Sequence, residues 1–175
     1  DRLGRLSGLV NNAGIVGRTS RVEGLDAERI ARILAVNVTG SFLCAIAAIR
    51  RMSTRHGGQG GSIVNLSSAA AKLGGANSYV DYAAAKGAID TFTTGLALEV
   101  AGEGIRVNAV RPGVIETEIH ASGGEPDRAQ RLASQIPMGR PGTGEEVAKA
   151  IMWLVSPDSS YSTGTVITVS GGRGI

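Results

Sequence analysis

The sequence predicts an α/β fold, a doubly wound parallel sheet of about four strands with flanking helices, and three observations carry that expectation. Short apolar runs alternate with long helical patterns, the βαβα order of a sheet covered on both faces. Each run is nearly continuous in apolar residues, as expected of a strand buried on both sides. A length of 175 residues suits a single compact domain, residues 1–175, with little room for a second.

Taken in order, the first predicted strand runs from Leu6 to Ala13 and leads into Asn11-Asn12-Ala13-Gly14. Asp26 is the candidate N-cap of a helix reaching about Met52, in which Ile30, Ile33, Leu34, Phe42, Ile46 and Ile49 recur at near-helical spacing. The run Gly57-Gly58-Gln59-Gly60-Gly61 ends it. The second strand, Ser62 to Ser67, exits at the pair Ser67-Ser68, and a second helix from about Val80 to Ala101 carries Tyr82 and Lys86 in its first turns. After the third strand, Ile105 to Val110, comes Pro112-Gly113-Val114-Ile115-Glu116-Thr117. There the proline is expected to halt the ladder and the glycine to permit a close backbone approach. The polar segment from Glu116 to Arg140 has Gly123-Gly124, Pro126 and one short helical pattern near Asp127 to Ser134. Such an insertion reads as a substrate lid or, with equal weight, as a solvated surface loop. A third helix follows Thr143-Gly144-Glu145-Glu146, runs to about Val155 and stops before Pro157. The last strand spans Thr165 to Ser170.

Apolar residues make up 42% and charged residues 19% of the chain, a composition that fills a core. The formal charge is only +3, the basic residues are dispersed, and aromatics amount to 3%, which argues against a nucleic-acid surface. Cys44 is the only cysteine, so no internal disulfide or cysteine-based zinc site forms, and it reads as a small buried apolar residue. No apolar run approaches the ~18 residues of a membrane span, and Asp1-Arg2-Leu3-Gly4-Arg5 lacks a signal peptide's apolar stretch. The expected location is cytoplasmic, with no membrane partner. His56, beside glycines, is expected in solvent; His120, at the edge of the lid, is a candidate for substrate contact.

The chemistry concentrates in Tyr82-Ala83-Ala84-Ala85-Lys86. Positions four apart share a helix face, so the ammonium is expected beside the phenol, favouring phenolate and bringing a pKa of ~10 down toward the range of general acid–base catalysis. A serine from Ser67-Ser68 would then orient a carbonyl or alcohol oxygen. Other motifs carry dull explanations individually. Asn11-Asn12-Ala13-Gly14 is an ordinary turn as often as a site, although ligands bind at strand carboxyl ends. Asn65 reads as a structural residue satisfying backbone groups. Asn37 interrupts an apolar helix face, either as a kink device or as part of a polar network reaching Lys86. Pro112-Gly113 is by itself a generic turn.

In conjunction and in this order, these motifs make the chain resemble the short-chain dehydrogenase/reductase family along essentially its whole length. The resemblance implies a Rossmann-like sheet and a catalytic set of Asn37, Ser68, Tyr82 and Lys86. Ser68 is preferred to Ser67 on the family's spacing, and Tyr82 to Tyr79 because only Tyr82 has a lysine at i+4. It further implies that NAD or NADP, the preference not readable, contacts Asn11, Ala13, Gly14, Tyr82, Lys86, Pro112, Gly113, Ile115 and Thr117, and it implies no metal. Tyr82 would exchange a proton with a small alcohol or carbonyl substrate, Ser68 would bind its oxygen, Lys86 would hold ribose hydroxyls, and Asn37 would help position a relay water. The helices carrying Asn37 and Tyr82 would form the face of a homodimer or homotetramer.

The family's Gly-x-x-x-Gly-x-Gly phosphate loop has no counterpart here; roughly 75 residues, about three βα units of a dinucleotide fold, would precede Asp1. The expectation is a piece of a longer product, or an assembly covering an otherwise bare edge at Leu6 to Ala13. The rival reading is a non-catalytic relative that cannot hold a dinucleotide and serves as an oligomeric, structural protein.

Overall fold

The structure, a computed structural model, describes residues 4–174. Its main sheet has four parallel strands in the order β1-β2-β3-β6, with β1 at Gly8–Asn11, β2 at Gly61–Leu66, β3 at Ile105–Pro112 and β6 at Val166–Val169. A second, two-stranded parallel pair joins β4 (Ile115–Glu116) to β5 (Gly142–Thr143).

Alternation along each strand divides the core between two faces. Ile63 and Val107 pack with Ala45, Ala48 and Met52 of helix α2 (Gly40–Met52) and with Leu96, Ala97 and Val100 of helix α4 (Val80–Val100). Val64, Leu66 and Val110 point the other way, against Val147 and Leu154 of helix α7 (Gly144–Val155). This is the doubly wound arrangement. Thr143 and Glu146 form a reciprocal capping box that starts α7.

Three elements differ from their sequence-based description. The long first helix is α1 (Ala27–Leu34), capped by Asp26, then a π-helical turn at Ala35–Thr39, then α2. It stops at Ser53, before the glycine run. Those glycines instead let the chain double back: Gly60, at φ +75°, donates to the Met52 carbonyl, and a Cβ there would lie 2.3 Å from the Gly104 oxygen. Pro112 does not halt β3 but is its last member, opposite Val169. A proline is tolerated there because the carbonyl still serves, accepting from the Ala69 amide at 2.8 Å.

The segment from 116 to 140 is packed rather than a bare solvated loop. It contains α5 (Ile119–Ser122) and α6 (Arg128–Arg131), and Ala129, Leu132 and Ile136 close over Val114. A four-residue helix α3 (Ala70–Leu73) bridges β2 to α4.

Two expectations about the first helix are corrected. By length and composition alone, Ala27–Met52 is apolar enough to cross a membrane. In α2 the reason is that both faces are apolar: Ala45, Ala48 and Met52 pack against the sheet, while Phe42, Leu43 and Ile46 on the other side are exposed. Cys44 lies on that outward side and is exposed, not buried. Among the described residues β1 pairs only with β2, and Val10 on that edge is 41% exposed. His56 is exposed, as expected.

Candidate active site

A cavity of about 540 Å³ opens at the carboxyl ends of β1, β2 and β3, under the segment that follows β4. Gly14, Ser68, Tyr82, Lys86, Pro112, Gly113, Ile115 and Thr117 all line it. Residues from Gly14 to Thr117 thus reach one place because parallel strands end on the same side of the sheet.

The start of α4 supplies its floor. Lys86 is 4% exposed, and its Nζ donates to the Leu66 carbonyl at 2.7 Å while lying 5.7 Å from the centre of the Tyr82 ring. Burial brings the Lys86 ammonium from its ordinary 10.5 down to about 8, against an opposing pull from the Asp90 carboxylate. The Tyr82 phenol moves the other way. Burial pushes it above its ordinary value, a hydrogen bond with Ser68 pulls it down, and neighbouring Tyr79 adds to the rise. This corrects the expectation of a phenol acidified by lysine: Lys86 aims its ammonium at Leu66, and desolvation of the ring outweighs everything else.

The two serines are told apart by their partners. Ser67, 3% exposed, donates to the Lys86 backbone carbonyl at 3.2 Å and belongs to the frame. Ser68 accepts from the Ala70 amide at 3.1 Å and meets the Tyr82 hydroxyl.

Asn37 sits in the π turn, a common location for such a distortion at functional sites. Its Nδ2 donates to the carbonyls of Ile15 (2.9 Å) and Ile33 (3.0 Å), and its Oδ1 accepts from the Ile15 amide (3.2 Å). The amide is therefore a clamp on the loop after β1, with a single lone pair left on Oδ1. No hydrogen bond links it to Lys86; Gly14 lies between them. A Cβ at Gly14 would come 2.9 Å from Asn37 Oδ1 and 3.4 Å from Lys86 Nζ.

The Asn11 side chain turns inward. Its Nδ2 donates to Asn65 Oδ1 at 2.8 Å, and Asn65 passes the chain on to Thr93 at 3.0 Å. Asn11 and Asn65 thus tie β1 to β2 and α4 through side chains, not through the backbone groups expected for Asn65. Ala13 is exposed and, like Asn11, is not part of the cavity wall, which Asn12 and Gly14 form instead.

The outer wall joins His120, the candidate for substrate contact, to residues that sequence reading did not single out, Glu125 and Arg128. Arg128 stacks 4.7 Å from the Tyr79 ring centre, donates to its hydroxyl at 2.7 Å and to Glu125 at 3.1 Å. Glu125 also meets Thr19 and Arg131. Tyr79 is therefore held by the segment above it and stands edge-on to Tyr82, with ring centres 5.8 Å apart. His120 lines the cavity, and its Nε2 lies 3.0 Å from the Ile115 carbonyl; burial holds the imidazole below its usual value, against that hydrogen bond. Arg29 grips Asp81 at the start of α4 and the Arg18 carbonyl, fixing the loop that carries Val16 and Gly17. The only sequence signals for Arg128 and Arg29 were an arginine inside the predicted lid and an acid beside Tyr82.

With that geometry established, comparisons with known proteins give one answer. A family model described as Enoyl-(Acyl carrier protein) reductase matches residues 1–173. The chain is 61% identical over 168 residues to an uncharacterized oxidoreductase, YgfF, of Escherichia coli K12, covering 96% of this chain and 68% of that protein. It matches the structure of a 3-ketoacyl-(acyl-carrier-protein) reductase from Brucella melitensis complexed with NADH at TM-score 0.91 and 34% identity, covering 99% of this chain and 70% of the other. It likewise matches a gluconate 5-dehydrogenase from Burkholderia cenocepacia J2315 in complex with NADP and tartrate, at TM-score 0.88 and 32% identity, covering 98% and 66%. The chain belongs to the short-chain dehydrogenase/reductase family of oxidoreductases, and it spans about two thirds of the length of these relatives.

Proposed function

We propose that the chain forms the catalytic part of an NAD(P)-dependent oxidoreductase that interconverts an alcohol and a carbonyl, with Tyr82 as proton donor and acceptor. The observation that carries this reading is the Ser68–Tyr82–Lys86 cluster on the floor of one cavity. The residues present fit a dinucleotide's nicotinamide half. Gly14 keeps the approach open, and Lys86, with one of its three donors committed to Leu66, has two left for a ribose diol. Pro112, Gly113, Ile115 and Thr117 would flank the ring. When bound, the nicotinamide supplies or accepts the hydride.

The chain's own residues do the rest. In reduction, Ser68 hydrogen-bonds the substrate oxygen and Tyr82 gives it the phenolic proton as the carbon is reduced. A phenol kept protonated by burial suits that direction at neutral pH, whereas alcohol oxidation requires phenolate. Rates of oxidation should therefore climb into the alkaline range while reduction stays flat through neutrality. The segment from 116 to 140, whose His120 and Arg128 face the cavity, acts as the lid that selects substrate.

Tyr82→Phe should abolish turnover while leaving NADH or NADPH affinity, read by cofactor fluorescence, nearly intact. A variant that kept a tenth of the wild-type rate would remove Tyr82 from the role. The exposed apolar face of Phe42, Leu43 and Ile46 supports contact between copies of the chain. Light scattering should give the mass of a homodimer or homotetramer, and a monomer at micromolar concentration would refute it.

A further inference from the structure

One turn beyond Lys86, the face of α4 that meets the sheet carries an acid. Asp90 Oδ2 lies 2.6 Å from Nη2 of Arg111, which reaches it from β3. Both side chains are largely buried, at 19% and 10% exposure. The pair is incompletely satisfied: Asp90 Oδ1 and Arg111 Nε are buried without hydrogen-bond partners, and Arg111 has only a 3.5 Å contact to Thr168 besides.

A pair of this kind is a poor staple. Desolvating two charges and leaving an oxygen and a nitrogen unmatched costs more than apolar residues of similar size would in the same place. Its neighbours along the chain are apolar or neutral, with Ile89 and Thr93 on α4 and Ala109 and Val110 on β3 all buried. Its one distinctive feature is its place beside the cavity floor. Lys86 and Asp90 are i and i+4 neighbours, and the strand residue preceding Arg111, Val110, pairs with the Leu66 whose carbonyl holds Lys86.

We propose that Asp90, held in place by Arg111, is a positioning residue for Lys86: its carboxylate is the opposing charge that lets a lysine remain cationic on the floor of the cavity. The other groups around Lys86 do not take that part. On its own helix, Tyr82 is a neutral phenol and Asp81 is committed to Arg29 of α1. The π turn presents neutral Asn37, β2 carries no ionisable residue, and Lys72 of α3 is exposed. Arg111 is a cation and is met by Asp90 at 2.6 Å. The opposing pull of Asp90 on the Lys86 ammonium agrees with this arrangement.

The inference rests on reading Lys86 as the functional cation, yet its test needs neither substrate nor cofactor, so the two fail separately. Lysine occurs only at positions 72, 86 and 149, so carbon-13 lysine labelling gives three ε-methylene signals. Exposed Lys72 and Lys149 serve as internal references. In Asp90→Asn the Lys86 midpoint should fall by on the order of one pH unit, and in Arg111→Met it should rise, because the carboxylate then acts unshielded. A staple would lower melting temperature in both variants without moving the midpoint. If Asp90→Asn does not fold, the double variant Asp90→Asn/Arg111→Met, which leaves no unpaired charge, must still titrate below wild type. Opposite shifts in the single variants, or the downward shift in the double, support the assignment. Unmoved midpoints, or single-variant shifts of the same sign, overturn it.

Discussion

Lys86→Met is expected to erase a pH dependence of stability that the wild-type protein carries. The Lys86 ammonium has its pKa lowered from 10.5 to about 8 by burial. Between those values the unfolded chain holds more protons than the folded one, so stability rises with pH there. Below about pH 8 both states are protonated and the folded state bears the full desolvation penalty, ~3 kcal/mol at neutral pH. Raising the pH from about 7 to about 9.5 should relieve ~2 kcal/mol of it. Methionine keeps an unbranched chain of similar bulk but carries no charge. It forfeits the bond to the Leu66 carbonyl, at ~1–3 kcal/mol independent of pH.

The quantity to measure is therefore the wild-type stability minus that of Lys86→Met, from urea unfolding at the two pH values. That difference should move in favour of wild type by ~2 kcal/mol on going alkaline. Tyr82, whose pKa is raised above its ordinary 10.0, loses stability only beyond this window, and its contribution largely cancels in the difference. Parallel pH dependences in the two proteins, agreeing within ~0.5 kcal/mol, would show that the lysine is solvated and refute the reasoning.

Two further outcomes follow from the same site. Asn37→Ala removes three hydrogen bonds to the backbone and leaves the Ile15 groups without partners. At ~1 kcal/mol each the loss is ~3 kcal/mol, a fall of ~6–12 °C in melting temperature; a drop below ~2 °C would mean the clamp does not form in solution. Ser68→Ala takes away the hydrogen bond that lowers the Tyr82 pKa, so the alkaline rise of the oxidation rate should move to higher pH while kcat falls ~10- to 100-fold. An unchanged pH profile would place the Ser68 hydroxyl away from the phenol.

The parts legible from sequence are those fixed by local geometry. Continuous apolar runs located β2 and β3 because strands buried on both faces leave no room for alternation. Tyr82 and Lys86 were found because a helix brings i and i+4 together wherever it lies. Asp26 and Thr143 were readable as caps or starts because a cap acts on amides two or three residues away. What escaped depends on distant elements. Asn37 marked a possible kink in the first helix but not its form, a π turn at Ala35–Thr39 where Asn37 reaches across to Ile15. The direction in which Asn11 turns depends on Asn65, 54 residues on. The Tyr82 phenol was expected to be acidified because a lysine lay near it in sequence, but the sign is decided by how deeply the ring is enclosed. Asp90 and Arg111 were not singled out at all, because their pairing exists only once β3 lies alongside α4.

The polar groups beneath the cavity also account for why its floor is held as it is. Asn11, Asn37, Asn65, Thr93 and Lys86 are all buried, at positions where apolar side chains would stabilise the fold more simply. Apolar packing, however, tolerates several side-chain arrangements of similar energy, whereas a hydrogen bond fixes direction. Asn65 joins Asn11 of β1 to Thr93 of α4, and Asn37 joins the π turn to the loop after β1. Each such bond sets the angle of α4 against the strand ends, and so the position from which Tyr82 and Lys86 project. Satisfied buried amides cost little. The buried side-chain polar atoms without partners among the described residues are Asp90 Oδ1 and Arg111 Nε, one turn beyond Lys86, where a cation with free donors is required if the cavity is to hold a polar ligand. Strain of this kind at a site, beside saturation around it, is the distribution expected when the surrounding fold holds a reactive group in a state it would not adopt alone.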